Sequence, residues 1–353
     1  MRLFVSSMLS GLATRLMRQA SSATVQTPLA ALFLAVLIAP ASAQADALRE
    51  SSPPAYPQRP LTIIVTFPPG GGTDLLARKL APLLEQALGQ SVVVDNRPGA
   101  SGNIGARAVA QSAPDGHTLL MVNSSFAITP HVLGTPGFDA ARDFQAVINV
   151  GFIPSLLVTR ADSPWHTLAQ WLHPLPDAAP HLFASCGTGT PQHLAGAMMQ
   201  AHQPAVQLQQ VPYKGCGPAL VDVLGGQVPV GIVTASSAMP YLSSGRLRAL
   251  AVTAPQRAPQ WPDVPTVAEH AMPGYHLNQW HGLLVPAGTD AAIVHRLNHI
   301  LQQALAQDTL QEELRQLGYT PTSGSDTSPQ AFQQLVQDDL ARFAEMAPGL
   351  TQP

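Results

Sequence analysis

Basic residues are scarce in this chain. Lysine and arginine number 18 in 353 residues, against 21 acidic ones, and they form no run. That removes the electrostatic footprint a nucleic-acid partner needs. Charged residues of both signs make up only 11%, which suits a compact, well-buried protein with short loops. Cysteine is nearly absent: Cys186 and Cys216 are the two in the sequence, enough for at most one bridge. No Gly-Lys-Ser/Thr follows a glycine loop, so there is no nucleotide P-loop. No Gly-x-Ser-x-Gly elbow stands out, so an exported serine hydrolase has no nucleophile signature. Outside the N-terminus no apolar run reaches membrane-span length.

The N-terminus itself has a distinct pattern. Arg2, Arg15 and Arg18 precede an apolar run over 29–39, which ends in Pro40 and Ala41-Ser42-Ala43. A basic region, a short apolar region and small residues are the marks of a secretory signal, here expected over 1–43. The apolar run is too short to span a bilayer comfortably. No cysteine near residue 43 offers a lipid anchor, and no twin-arginine pair is present. Losing three arginines leaves 15 basic against 21 acidic residues, a formal charge of −6.

Beyond a polar leader, β and α patterns alternate. Residues 61–67 read as a strand and 74–88 as an amphipathic helix that Pro82 should kink and Gly89 should stop. Between them lies Phe67-Pro68-Pro69-Gly70-Gly71-Gly72-Thr73-Asp74. Glycines there permit a sharp turn and close approach to main-chain N–H groups, and the helix start leaves its first N–H groups unpaired. Thr73 and Asp74 are suited to cap it. Strand, glycine loop and helix start together form an anion site; the alternative is a tight turn that binds nothing. The pattern repeats at 96–103, at Asn123-Ser124-Ser125, at Cys186-Gly187-Thr188-Gly189-Thr190-Pro191 and at Lys214-Gly215-Cys216-Gly217. Thr190 should cap a helix over 193–202 with Pro191 in its first turn. Further strands are expected at 182–185, 207–213, 228–233 and 247–252, and tail helices at 290–306 and 329–345. Residues 145–160 and 282–285 read as strands crossing between two α/β units. Strands alternating with helices imply mainly parallel sheets, with ligands beyond the strands' carboxyl ends.

Several motifs in this order resemble one family. Besides 67–74 they are Val94-Asp95-Asn96-Arg97-Pro98-Gly99, Pro114-Asp115-Gly116-His117, Val211-Pro212-Tyr213-Lys214-Gly215, Leu224-Gly225-Gly226-Gln227 and Asp263-Val264-Pro265-Thr266. The chain resembles the substrate-binding proteins of tripartite tricarboxylate transporters, the Bug-type periplasmic receptors, from Tyr56 to the last helix. The resemblance implies an α/β, two-lobed type II periplasmic-binding-protein fold with two crossing strands. It implies lobe 1 over 57–153 and 276–353, and lobe 2 over 154–275. It also implies a periplasmic, monomeric receptor of a Gram-negative bacterium, with no catalysis and no cofactor. Its partners would be a small carboxylate and integral-membrane permease subunits, with no nucleic acid. The implied ligand site is Phe67, Gly71, Gly72, Thr73, Asp74, Ser124, Ser125, Ser185, Gly187, Thr188, Thr190 and Thr234. A buried carboxylate needs several donors, and main-chain N–H groups at helix starts supply them.

The chain departs from the family at three places. Cys186 and Cys216 stand where Ala and Ser or Thr are usual, and Val233 stands where an Asp is common. The missing Asp argues against an amino-acid ligand. An exported protein can keep a Cys186–Cys216 disulfide, but two small buried thiols are the preferred reading of the spacing. His295 and His299 are four apart on a helix, yet Arg296 occupies the place of the zinc-protease Glu, and no metal is expected. His193 is read as a capping or packing residue. A receptor that presents its closed form to a membrane sensor would share the same ligand site.

Overall fold

The computed structural model describes residues 56–134, 136–173, 179–270 and 272–346. The expected signal segment, 1–43, lies outside them.

The chain opens with β1 (Leu61–Val65), α1 (Gly72–Leu88), β2 (Val92–Asn96), α2 (Asn103–Ala110), β3 (Thr118–Asn123) and α3 (Ser125–Val132). β1 lies between β2 and β3, parallel to both. β4 (Phe144–Arg160) follows, a 17-residue strand buried along nearly all its length. After α4 (Leu168–Trp171) the β/α alternation resumes with β5 (His181–Ser185), α5 (Pro191–His202), β6 (Leu208–Pro212), α6 (Cys216–Leu224), β7 (Val230–Thr234), α7 (Ala235–Ser243) and β8 (Leu247–Val252). The chain returns through β9 (Asn278–Pro286) and ends with α8 (Ala291–Leu305), α9 (Asp308–Gln316), β10 (Thr320–Pro321) and α10 (Pro329–Met346).

β4 joins two sheets. From Phe144 to Pro154 it pairs antiparallel with β9, which in turn pairs with β3. From Ser155 to Arg160 it pairs with β7 and β8. The first sheet runs β2-β1-β3-β9-β4, and the second continues β4-β7-β5-β6. The parallel core of each sheet is therefore flanked by antiparallel strands. Two register shifts near Val147 and Val150 bend β4 before the changeover. At Gly151 a Cβ would lie 2.7 Å from the Thr320 carbonyl, so only glycine lets β10 lie against this strand. The changeover is fixed by backbone bonds: Thr253 N–H donates to Ser155 O and Leu277 N–H to Thr253 O, at 3.0 and 2.8 Å.

α1 runs through Pro82 without a break. Pro82 and Arg78 both face solvent, so water can satisfy the carbonyl that loses its helical donor. Gly89 caps the helix in the left-handed region, its N–H donating to Glu85 O at 2.9 Å. At its other end α1 begins at Gly72 with Gly71 as N-cap and no side-chain cap. Thr73 and Asp74 are therefore inside the first turn, not before it.

Candidate functional site

Helices follow the carboxyl ends of β1, β3, β5, β6 and β7, and the first turns of α1, α5 and α6, with the N-cap of α7, meet at one small cavity. Phe67, Pro68, Pro69, Gly71, Gly72 and Thr73 line it from the β1–α1 loop, and Asn123 from the end of β3. Cys186, Gln192, Gly215, Cys216, Gly217 and Thr234 line it from the second sheet. None of these side chains is charged. First-turn N–H groups are the positive ends of helix dipoles, so the cavity favours an anion without offering a cationic side chain.

Hydrogen bonds behind this wall fix its polar groups. Gln192 Nε2 donates to Ser155 Oγ at 3.0 Å and to Thr234 Oγ1 at 3.2 Å. Gln279 Nε2 donates to the same Thr234 oxygen at 3.3 Å. A hydroxyl that accepts twice still has its proton to donate. Thr234 thus presents a donor to the cavity, with only the Cys216 sulfur, 3.5 Å away, as a weak protein partner. Thr73 Oγ1 lies 3.2 Å from Nε2 of His281.

Several residues expected at the site hold its loops instead. Asp74 is 2% exposed and does not line the cavity. It accepts from Gly70 N–H at 2.9 Å, from Asn96 Nδ2 at 2.9 Å and from Arg78 Nε at 3.0 Å. Burial alone would raise its pKa, but these hydrogen bonds and the Arg78 charge outweigh that and hold it below the ordinary value. With its oxygens engaged, Asp74 staples the glycine loop to β2. Ser124 Oγ accepts from Trp280 N–H at 3.0 Å and ties β3 to β9. Ser185 Oγ accepts from Gln210 Nε2 at 2.6 Å. Thr190 caps α5 by accepting from His193 N–H and donates to Gly187 O at 2.6 Å. His193 Nδ1 accepts from Gly189 N–H at 3.2 Å, a capping role. Ser125 lines a side pocket with Asn123, and its buried hydroxyl has no protein partner. Gly187 and Thr188 lie at an outer part of the cleft. Val233 is fully buried in the hydrophobic core.

Asn123, Gly215 and Gly217 stand in loops marked in the sequence, whereas Gln192 was not singled out. Gln192 sits at the second position of a helix whose Thr-Pro start was legible, so its reach into the cavity depends on where that helix lies. Cys186 and Cys216 form a disulfide, which corrects the preference for two thiols. β5 and β6 are parallel neighbours with Ser185 opposite Pro212, so the loops leaving their ends bring the two sulfurs together at the cavity wall.

The sequence profile of the tripartite tricarboxylate transporter family receptor matches residues 76–349. The chain belongs to this receptor family. Protein BugT of Bordetella pertussis is 37% identical over 295 residues, covering 82% of this chain and 88% of its own. The solved structure of R. palustris Rpa4515 with adipate is 35% identical, with a TM-score of 0.79, covering 84% of this chain and 98% of that one. MatC of Rhodopseudomonas palustris, solved with bound malate, is 30% identical with a TM-score of 0.77, covering 83% and 100%. The receptor thus has the two-lobed periplasmic-binding-protein fold, in a family of substrate-binding receptors. Among its described residues no helix is long and apolar enough to cross a membrane. No group of three or more His, Cys, Asp or Glu among them could hold a metal ion. His295 and His299 are exposed on α8, and His299 pairs with Gln303.

His281 gives the receptor a pH dependence. It is fully buried, and desolvation pushes its pKa down to about 3. The unfolded chain binds this proton near pH 6.5 and the folded chain does not until about pH 3. Stability from this group is therefore present above the unfolded value and lost as pH falls across that window, by about 1.4 kcal/mol per pH unit. Urea unfolding at pH 7, 6 and 5 should show that decline, and His281→Gln should make it shallower. An equal slope in both proteins would overturn the assignment.

Proposed function

We propose that this receptor binds a small carboxylate in the periplasm and delivers it to integral-membrane permease subunits, as a monomer and without catalysis. The lobes that close on the ligand are 57–153 with 276–353, and 154–275. The observation that carries this reading is the convergence of the α1, α5 and α6 starts and the α7 N-cap on a cavity with no charged side chain. Main-chain N–H groups of Gly72 and Thr73 on one side and of Cys216 and Gly217 on the other are the donors, with the Thr234 hydroxyl and the Asn123 amide. Phe67 supplies an apolar wall. The cavity holds no carboxylate to receive an ammonium group, which favours ligands without an amine. Relatives solved with adipate and malate support the carboxylate class.

The test is a thermal-shift screen of purified protein, unfolded and refolded to remove co-purified solute, against mono-, di- and hydroxycarboxylates and amino acids. A ligand specific to the folded state raises the melting temperature by mass action. A concentration-dependent rise with a carboxylate is expected. A rise with amino acids alone, or with no carboxylate, would sink the reading.

A further inference from the structure

One face of β9 reaches the cavity walls of both sheets. Gln279 and His281 are two residues apart on this strand, so their side chains point the same way. Trp280 between them points the other way, donating from Nε1 to Asp339 at 2.7 Å and packing edge-on against Phe332. Gln279 Nε2 bonds the Thr234 hydroxyl at the end of β7, and His281 Nε2 bonds the Thr73 hydroxyl in the first turn of α1. Both threonines line the cavity. The direction of the His281–Thr73 bond follows from the other ring nitrogen. The buried ring is neutral, because desolvation disfavours its charged form, and a neutral imidazole carries a single N–H. Nδ1 is buried with no partner among the described residues. A proton on Nδ1 would strand a buried N–H, the kind of orphan that folded proteins most rarely keep. The proton therefore belongs on Nε2, where Thr73 Oγ1 accepts it at 3.2 Å. An edge contact with Tyr319, ring centroids 5.3 Å apart, packs the imidazole in place.

We propose that His281 is a positioning residue for the ligand, donating from Nε2 to Thr73 Oγ1 and turning that hydroxyl's proton into the cavity. The inference rests on the carboxylate reading above and adds which residue sets the polarity of the site. Thr234 is held in the same sense by Gln192 and Gln279, so a threonine on each side of the cavity faces the ligand as a donor. The cavity measures about 20 Å³ for the centre of a water molecule, room for about one carboxylate group. A carboxylate meets these hydroxyls with acceptors alone. A carboxamide of the same shape brings an NH₂ group against a donor. To accept from that group, Thr73 would have to turn its own proton away from the cavity, where no acceptor among the described residues engages it. A buried donor left unpaired is costly, so the site distinguishes the acid from its amide.

The experiment has two parts. Long-range proton–nitrogen NMR of the purified, ligand-free receptor reads the tautomer directly, with the His281 signals assigned by their loss in His281→Gln. A ring protonated at Nε2 alone is expected. A ring protonated at Nδ1 alone, or at both nitrogens, would overturn the inference and leave the carboxylate reading standing. The second part titrates the receptor with acetate and with acetamide, followed through the amide shifts of Gly72, Thr73 and Cys216. Wild type should prefer acetate. His281→Leu should shrink that preference by about two- to tenfold. His281→Gln, whose amide nitrogen can take the place of Nε2, should keep it. Thr73→Val should shrink it as His281→Leu does, and adding His281→Leu to Thr73→Val should shrink it no further. A merely structural role would weaken both probes alike and would do so in either background. That result, or an unchanged preference in His281→Leu, would overturn the inference alone, as would equal binding of acetate and acetamide by wild type. A wild type that binds neither acetate nor any carboxylate in the thermal screen would overturn both readings.

Discussion

Gly72→Val is expected to cut ligand affinity by one to two orders of magnitude. Gly72 is the first residue of α1, on the first sheet's side of the cleft. A Cβ there would stand 2.5 Å from Ser236 Oγ in the first turn of α7, 3.3 Å from Thr234 Cγ2 at the end of β7, and 3.4 Å from the Tyr319 hydroxyl. The obstacle is not its backbone conformation, since Gly72 is not among the positive-φ residues. It is the close approach of the start of α1 to the β7–α7 junction, two segments that meet in the proposed closure of the lobes. Overpacking of this kind costs about 1–3 kcal/mol, or about ten- to a hundredfold in a dissociation constant. The wedge acts on closure, so the folded apo protein should lose less stability than the complex. Titration of a ligand found in the thermal screen, together with urea melts of the apo protein, separates the two effects. Wild-type affinity in Gly72→Val would show that the two loops need not approach so closely.

The second large effect concerns the Cys186–Cys216 bond. Its partners are 30 residues apart in sequence, and closing a loop of that length lowers the entropy of the unfolded chain by about 3–4 kcal/mol at room temperature. The double variant Cys186→Ser, Cys216→Ser should lose stability on that scale in urea unfolding, and should bind ligand less tightly because the bond lines the cavity. Gly215 N–H also donates to Cys186 O at 3.0 Å, so the two loops keep one tie when the sulfurs are separated. A loss below about 1 kcal/mol would mean that this tie and the surrounding core already hold the loops, so that the covalent link adds little.

Much of the fold was legible because it rests on local rules. The β8 strand, the Thr190–Pro191 start of α5 and the Gly89 stop of α1 follow from apolar runs, caps and glycines, and the structure has all three. Four helices were missed, the single turn of α4 among them. α3 and α7 each contain a proline, and their first turns are fully buried, so neither shows the two-faced pattern that marks a surface helix. α9 buries only Leu310 and Leu314 on an otherwise polar stretch, which reads as a linker. The glycine loops line the cavity, but several of their polar side chains are engaged within the protein. Asp74 and Thr190 carry the residue types of a ligand site, yet their acceptors are spent on Gly70, Asn96, Arg78 and His193. Sequence shows which groups can bond; which of them are already bonded depends on distant partners such as Asn96 and Gln279. The disulfide was passed over for two thiols for the same reason, since the β5–β6 pairing is what brings its halves together.

β4 completes both sheets with one uninterrupted strand, its first eleven residues serving one and its last six the other. Neither half of the molecule therefore has a full set of strands of its own. A rupture that begins at either end removes a strand from between its partners, β9 and β10 in one half or β7 and β8 in the other, so the halves share one cooperative fate. A receptor built this way cannot be taken apart at its middle.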